Sequence, residues 1–333
     1  MRLLIVNAGS SSVKLRVLGD DELLASADQS IDQSLEGFLA SAPPVDAAVH
    51  RIVHGGSEYT AAVRIDGDVE RHLEQLTALA PLHNPRGLAG IRAVRQLRPD
   101  LAQVACFDTA FHASMPAAAA TYALPRPWIE RWGLRRYGFH GLSHAYASQR
   151  FAELVGRPLA ELKVITAHLG SGASLAAVDG GRSVDTTMGF TPLEGLVMST
   201  RSGSVDPGLV LWLQRQGGLS TDEVEHGLEH ESGLLGLAGS GDLREVLAAA
   251  DGGDENASLA YAVMVHRLRA SIAAMAAALG RLDGLVFTGG AGEKSERLRA
   301  DACRDLLVLG DARIEVVEAR EDLEMARQAR ELL

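Results

Sequence analysis

The chain opens on four consecutive apolar residues, Leu3-Leu4-Ile5-Val6, and after a polar gap resumes with the alternating Leu15-Arg16-Val17-Leu18. A short apolar run followed by period-two alternation predicts two strands, joined through Gly9 to Ser12 by a hairpin turn. The same grammar returns at Val164-Ile165-Thr166-Ala167 and Leu175-Ala176-Ala177-Val178, around Gly170-Ser171-Gly172, and closes on the turn pair Asp179-Gly180. Each half of the chain therefore begins as strand, Gly/Ser turn, strand. Residues 1–28 read as this hairpin plus a third strand, Val45 to Val53 as a strand ending at His50-Arg51, and Arg86 to Arg98 as a helix. Val104 to Phe107 predicts a short strand ending at Asp108, and Ser143 to Val155 a helix with Ser143 as its N-cap. After a strand reaching about Val184, a loop-rich stretch runs to Ser204, followed by helices around 206–216 and 221–229 and a Gly-rich segment, 233–241. The stripe Tyr261, Val265, Leu268, Ile272, Met275, Leu279 has 4-3-4-3-4 spacing and predicts a helix ending at Gly280, with Met264 and Arg267 off the stripe. Leu285 to Phe287 reads as a buried strand, Thr288 to Glu293 as a third Gly-rich turn, and Ser295 to Cys303 as a helix.

Composition narrows the class. At 333 residues the chain exceeds what one core normally supports, so two domains are expected, and 47% apolar residues suffice to bury them. No uninterrupted apolar run reaches the roughly 18 residues of a membrane span, and no basic n-region precedes an h-region. Two cysteines make no disulfide framework, which points to a reducing, cytoplasmic setting. Acidic residues outnumber basic ones 43 to 32, which argues against a general nucleic-acid grip.

The opening turn carries the first chemistry. Gly9 permits a backbone conformation that a Cβ penalises, Ser10, Ser11 and Ser12 offer hydroxyls and N–H groups to an anion, and Lys14 adds a point charge. The strand beyond it separates this hairpin from a Walker loop, which opens a helix. One phosphate-type hairpin at the head of each half is the layout of the actin, hexokinase and Hsp70 type of ATPase fold, with duplicated α/β domains and the active site expected in the interdomain cleft. In that layout the third Gly-rich turn packs against the nucleoside.

Nine ordered motifs then resemble one family: NAGSSSVK (7–14), HRIVHGG (50–56), PLHNP (81–85), FDTAFH (107–112), RRYGFHGLSH (135–144), AHLGSGAS (167–174), MGFTPLEG (188–195), STRSGSVDPG (199–208) and FTGGAGE (287–293). Together they look like the motif set of the acetate kinases and their short-chain acyl kinase relatives, over Arg2 to about Arg327. The resemblance implies an N-terminal domain over 1–150, a nucleotide-binding domain over 151–315 and a terminal helix, 316–333, returning to the first domain. It implies Arg51, Asp108, His140 and Arg201 as catalytic residues. ATP contacts fall on Asn7, Ser10, Ser12, Lys14, His168, Gly170, Gly172, Asp242, Arg244, Gly290, Ala291 and Lys294. Val53, Leu82, Phe139 and Pro192 match a small acyl pocket, Asn7 and Glu321 the association with Mg2+ or Mn2+. ATP/ADP as co-substrate, acetate or another short-chain carboxylate as acceptor, and a homodimer are implied in the same way.

The residue types suit the reaction. A short-chain carboxylic acid has a pKa near that of Glu, about 4.3, so the attacking oxygen is ionised at pH 7 and no general base is needed. Phosphoryl transfer instead needs in-line positioning, a divalent cation and fixed positive groups, and arginine's planar fork meets carboxylate and phosphoryl oxygens bidentately. For His83, His112, His144 and His168 a packed, hydrogen-bonded histidine is the ordinary expectation, with weight toward function at His168 because it precedes the second phosphate hairpin, and Glu321 also suits plain helix capping. The chain is shorter than typical members between the opening hairpin and His50 and again between Cys303 and Glu321. Lys294 and Arg320 stand where Asn is usual. A propionate or butyrate kinase, and a degenerate nucleotide-binding regulator, are the alternatives, whereas a dinucleotide oxidoreductase lacks its Gly-x-Gly-x-x-Gly strand-to-helix turn.

Overall fold

Leu3, Leu4, Ile5 and Val6 are all buried, a condition that a strand meets only when both faces of its sheet are covered. The computed structural model describes residues 1–8, 13–29 and 35–333. Gly9 to Ser12, with the phosphate contacts expected at Ser10 and Ser12, lie outside the described residues. Strand β1 (Arg2–Ala8) pairs antiparallel with β2 (Val13–Gly19), which pairs antiparallel with β3 (Glu22–Gln29). On its other edge β1 runs parallel to β4 (Ala47–Ile52), with β5 (Val63–Arg64) and β6 (Ala102–Phe107) completing the order β3-β2-β1-β4-β6-β5. Alternation along β1 then covers both faces. Leu3 and Ile5 pack with Met325, Ala326 and Ala329 of the final helix, Glu321–Arg330. Leu4 and Val6 pack with Val94 of the helix Asn84–Leu97.

The second sheet repeats the first in miniature. Strands β7 (Lys163–Leu169), β8 (Ala173–Asp179) and β9 (Arg182–Thr186) form the antiparallel meander. Strands β10 (Gly284–Thr288) and β11 (Arg313–Val316) add parallel strands, giving the order β11-β10-β7-β8-β9. Thus an antiparallel hairpin is followed by parallel strands on its first strand twice in one chain, the first sheet ending on the antiparallel edge strand β5. The edge strand β11 had no sequence signal, because Arg313 and Ile314 are exposed and no apolar run marks it.

By its internal contacts the chain forms two compact units, one of Met1–Ala113, Phe139–Tyr146 and Arg320–Leu333, the other of Ser114–Gly138 and Ala147–Ala319. The segment Ser114–Gly138, expected within an N-terminal domain of 1–150, therefore clusters with the second unit.

Three local expectations are corrected. The helix expected from Ser143 is Gly141–Val155, so Ser143 lies inside its first turn. Its start is set by close approach: the Gly141 N–H donates to the Asp108 carbonyl at 2.9 Å, and a Cβ at Gly141 would lie 2.2 Å from that oxygen. The third Gly-rich turn is itself helical over Gly289–Lys294, and Ser295 is the N-cap of the next helix, accepting from the Leu298 N–H. Finally, Met264 is not off the stripe. It is buried with Tyr261, Leu268, Ile272, Met275 and Leu279 in the helix Glu255–Leu279, while Val265 is only half-buried, because 3.6 residues per turn rotates a 4-3 stripe. That helix has the length and the mean hydropathy, 1.3, of a candidate membrane span, but its buried face packs on β8, β9 and neighbouring helices of its own unit.

The first unit also buries His50, His54 and His112, at 1%, 0% and 0% exposure. Burial lowers the pKa of each from 6.5 to about 4, against a small upward pull from Gln103 on His50 and from the Phe139 carbonyl on His112. Between those values the unfolded chain binds protons that the fold refuses, so stability is full above about pH 6.5 and is lost as pH falls toward 4. The slope approaches about 1.4 kcal/mol per pH unit for each histidine. Urea midpoints should therefore drop between pH 6.5 and 4.5, and less steeply in His50→Gln. A midpoint that stays flat across this window would contradict the neutral buried histidines.

Candidate active site

Parallel pairing brings the first charges together. In the β4–β6 register Arg51 stands opposite Cys106 and Ile52 opposite Phe107, and the chain continues so that the Asp108 N–H donates to the Ile52 carbonyl at 3.1 Å. The Arg51 guanidinium meets the Asp108 carboxylate in a bidentate fork, Nη2 to Oδ2 at 2.6 Å and Nε to Oδ1 at 3.0 Å. Its Nη1 donates to Asn7 Oδ1 at 3.1 Å, and Asn7 Nδ2 donates to Glu321 Oε2 at 3.0 Å. Asp108, Arg51, Asn7 and Glu321 thus form one continuous polar chain at the ends of β6, β4 and β1 and the start of the last helix.

The pair is nearly dry, with side-chain exposures of 14% for Arg51 and 2% for Asp108. Burial pushes the Asp108 carboxyl above its ordinary range, and the Arg51 charge offsets this only in part. The desolvation cost on Arg51 is overcome by Asp108 and Glu321, so its affinity for its proton is raised and it stays charged.

Glu321 is held from behind. Its neighbour Asp322 is buried and accepts from Arg16 Nη1 at 3.0 Å and from Arg320 Nε at 3.0 Å. Burial would raise the Asp322 carboxyl, but the two arginines hold it below the usual carboxylate range. Arg320, which replaces the Asn that the resemblance expected, is therefore one jaw of a clamp on the start of this helix. Neither Arg16 nor the Arg16–Asp322 pairing carried a sequence signal, since the two residues lie 306 positions apart.

His140 sits in the left-handed region at φ 57°, directly before Gly141, and its ring lies 6.4 Å from that of His144. His112 Nε2 is 2.9 Å from the Phe139 carbonyl, and the Phe139 ring meets His54 edge-on at 5.5 Å. Of the expected acyl-pocket residues, Val53 and Phe139 are buried in this unit, Leu82 is 46% exposed, and Pro192 belongs to the other unit. Lys14 is exposed on β2, paired across the hairpin with Asn7.

In the second unit the β7–β8 hairpin turns tightly, the Gly170 N–H donating to the Gly172 carbonyl at 2.9 Å, with half-buried His168 just before it. Gly289 packs on its backbone, about 3.0 Å separating the position of a Cβ from the Leu169 carbonyl carbon, which sets Gly290 and Ala291 beside the hairpin; Lys294 is exposed at the end of the same short helix. The Ser199 N–H donates to the Ser171 carbonyl at 3.2 Å, and Gly241 lies against Ser199. Asp242 follows as N-cap of the helix Leu243–Asp251, accepting from the Arg244 N–H and pairing with its guanidinium, which holds the Asp242 carboxyl down at about 2. Arg201 lies two residues beyond Ser199. Its Nη1 donates to the Pro192 carbonyl at 2.7 Å and its Nε is 3.7 Å from Glu229. Burial lowers the Arg201 pKa and Glu229 opposes this. Glu229, in a helix with no motif character, could not be picked out from the sequence.

No group of three or more His, Cys, Asp or Glu side chains suited to a metal occurs among the described residues. The Asn7–Glu321 pair nonetheless offers hard oxygen donors, and Mg2+ is commonly held by one or two carboxylates completed by phosphate oxygens and water. The donor chemistry fits such an ion.

Comparison with known proteins gives a consistent picture. The model of the Acetokinase family matches residues 24–324. An acetate kinase of Synechococcus sp. is 55% identical over 288 residues, covering 86% of this chain and 71% of that protein. Among solved structures, Porphyromonas gingivalis acetate kinase matches with a TM-score of 0.89 at 34% identity over 99% of each chain. A propionate kinase from Francisella tularensis subsp. tularensis matches with a TM-score of 0.91 at 34% identity over 98% of each.

Removing one partner of a buried ion pair leaves the other charge stranded. Asp108→Ala should therefore destabilise the protein by about 3 kcal/mol, and Arg51→Met combined with Asp108→Leu by appreciably less. Chemical denaturation of the three proteins tests this; equal losses in the single and double variants would show that the pair is not the source of the effect.

Proposed function

The chain belongs to the acetokinase family, and from that premise we propose that it transfers the γ-phosphoryl group of ATP to acetate, giving acetyl phosphate and ADP, reversibly and with Mg2+. The observation that supports this reading is the polar chain Asp108–Arg51–Asn7–Glu321 at the strand ends, one guanidinium between two carboxylates with Asp108 buried against it, in which no histidine or lysine stands as a general base.

A carboxylate acceptor needs none. An acetate oxygen, ionised at neutral pH, attacks the γ-phosphorus while the bond to the bridging oxygen breaks and its electrons leave with ADP. Arg51, its fork fixed by Asp108, orients the acceptor and the phosphoryl group, and Arg201 stabilises the charge that spreads over the equatorial oxygens. His140 adds a hydrogen bond to the phosphoryl oxygens in transit. Val53, Leu82, Phe139 and Pro192 limit the acyl chain. Asn7, Ser10, Ser12, Lys14, His168, Gly170, Gly172, Asp242, Arg244, Gly290, Ala291 and Lys294 serve the nucleotide. Asn7 and Glu321 would hold the Mg2+, which when bound neutralises the β- and γ-phosphate oxygens. A cytoplasmic setting and a homodimer belong to the same reading, with the exposed face of Glu255–Leu279 around Arg267 as the contact. Propionate as acceptor is the second reading, favoured by the propionate kinase among the similar solved structures.

Hydroxamate trapping with Mg·ATP and acetate, propionate or butyrate tests the acceptor, and acetate should give the highest kcat/KM. In the same assay Arg201→Ala should lower kcat by roughly 10³-fold with a smaller change in KM for acetate. Turnover near wild type in that variant would remove Arg201 from the mechanism. For the assembly, light scattering at micromolar concentration should give twice the chain mass of 35.3 kDa. A value equal to the single chain would end the dimer proposal, and a dimer unaffected by Arg267→Glu would move the contact elsewhere.

A further inference from the structure

We propose that Arg136, Glu194 and Tyr122, none of which contacts a substrate in the reading above, form a positioning network that fixes the segment 186–195 and through it aims the Arg201 guanidinium. This rests on the proposed role of Arg201 and concerns how that side chain is held. Arg136 uses both ends of its fork. One nitrogen, Nη1, donates to the successive carbonyls of Thr186, Thr187 and Met188 at 3.3, 3.1 and 2.9 Å, and the other, Nη2, donates to Glu194 Oε1 at 2.6 Å. The second oxygen of Glu194 accepts from the Tyr122 hydroxyl at 2.5 Å, and that hydroxyl accepts from the Phe190 N–H at 2.9 Å. Both ends and the middle of the segment are therefore tied to one carboxylate.

Gly189 is part of the fit. A Cβ there would lie 1.8 Å from Glu194 Oε2 and 2.3 Å from the Tyr122 hydroxyl, so the carboxylate occupies space that only glycine leaves open. Burial and the adjacent Glu194 raise the Tyr122 pKa, which keeps its hydroxyl a donor at any ordinary pH.

The segment meets the Arg201 loop at two points. The Pro192 carbonyl accepts from Arg201 Nη1 at 2.7 Å, and Gly195 exchanges hydrogen bonds with Ser204, N–H to Oγ at 3.1 Å and carbonyl from the Ser204 N–H at 3.0 Å. The only carboxylate paired with Arg201 among the described residues is Glu229, at 3.7 Å, too far for a hydrogen bond. The direction of this long side chain is thus set by a backbone carbonyl, and that carbonyl by the network.

Two full-length variants test the inference, Glu194→Gln and Tyr122→Phe, each with a readout independent of turnover. Phenylglyoxal modification followed by peptide mass spectrometry reports arginine accessibility. Arg201 should react at least about fivefold faster in Glu194→Gln and less so in Tyr122→Phe, with Arg51 unchanged and the thermal midpoint shifted little. In turnover, Glu194→Gln should lower kcat roughly 10- to 100-fold with KM for ATP unchanged. In an Arg201→Ala background the same change should cost almost nothing more, because the two act through one group. Unchanged Arg201 labelling, or additive losses of kcat, would overturn the proposal. If Glu194→Gln does not fold, Tyr122→Phe carries the same comparison. Absence of any carboxylate kinase activity in the wild type would refute the functional reading alone, while the labelling result would still decide the positioning.

Discussion

A guanidinium and a carboxylate buried side by side at the ends of two parallel strands constrain the first unit more than any other contact. Taking either charge out of water alone costs several kcal/mol, so Arg51 and Asp108 are tolerable only as a bidentate pair, and the pair exists only if β4 and β6 keep their register. Asp108 does a second thing through its backbone. Its carbonyl accepts from the Gly141 N–H, at a distance that excludes a Cβ, and the preceding His140 is driven into the left-handed region. One residue therefore neutralises Arg51 and sets the entry of the helix beside which His140 stands. From Arg51 the constraint passes through Asn7 to Glu321, where Arg16 and Arg320 clamp the adjacent Asp322.

The second unit treats its arginine differently. Arg201 is buried, as Arg51 is, yet it has a carbonyl where Arg51 has a close carboxylate. A carbonyl fixes direction without cancelling charge. Such a guanidinium keeps its positive potential for an anion, whereas Arg51 spends much of its own on Asp108. The difference fits the division of labour proposed for the two residues, orientation for Arg51 and charge stabilisation for Arg201. It also places unusual weight on whatever holds the Pro192 carbonyl, which is the segment tied down by Arg136, Glu194 and Tyr122.

Both units solve the same topological problem. An antiparallel hairpin leads each sheet, and parallel strands follow on the hairpin's first strand. In the second unit the Gly170–Gly172 turn lies at the end of the hairpin's strands and is packed by Gly289 and Ser199. Closely approaching glycines here serve packing of backbone on backbone.

What the sequence determined by itself is the local order. Apolar runs and alternation marked β1, β2, β4, β6, β7, β8 and β10 within a residue or two, because a two-residue period and buried faces are written directly into side-chain polarity. The ordered motifs likewise pointed to the family and singled out Arg51, Asp108, Asn7 and Glu321 one by one, whereas their linkage into one polar chain came from the fold. Tertiary structure alone decided the rest. The partners of Arg16, Glu194 and Arg201 are fixed by which strands and loops become neighbours, and no spacing encodes that. The exposed strand β11 lacks the apolar run that would announce it, and Met264 turned inward because helical pitch, set against the particular surfaces of β8 and β9, rotated the buried stripe. Local patterning follows from each residue's own preference for water or core, whereas charge pairing follows from contacts between segments up to 314 residues apart.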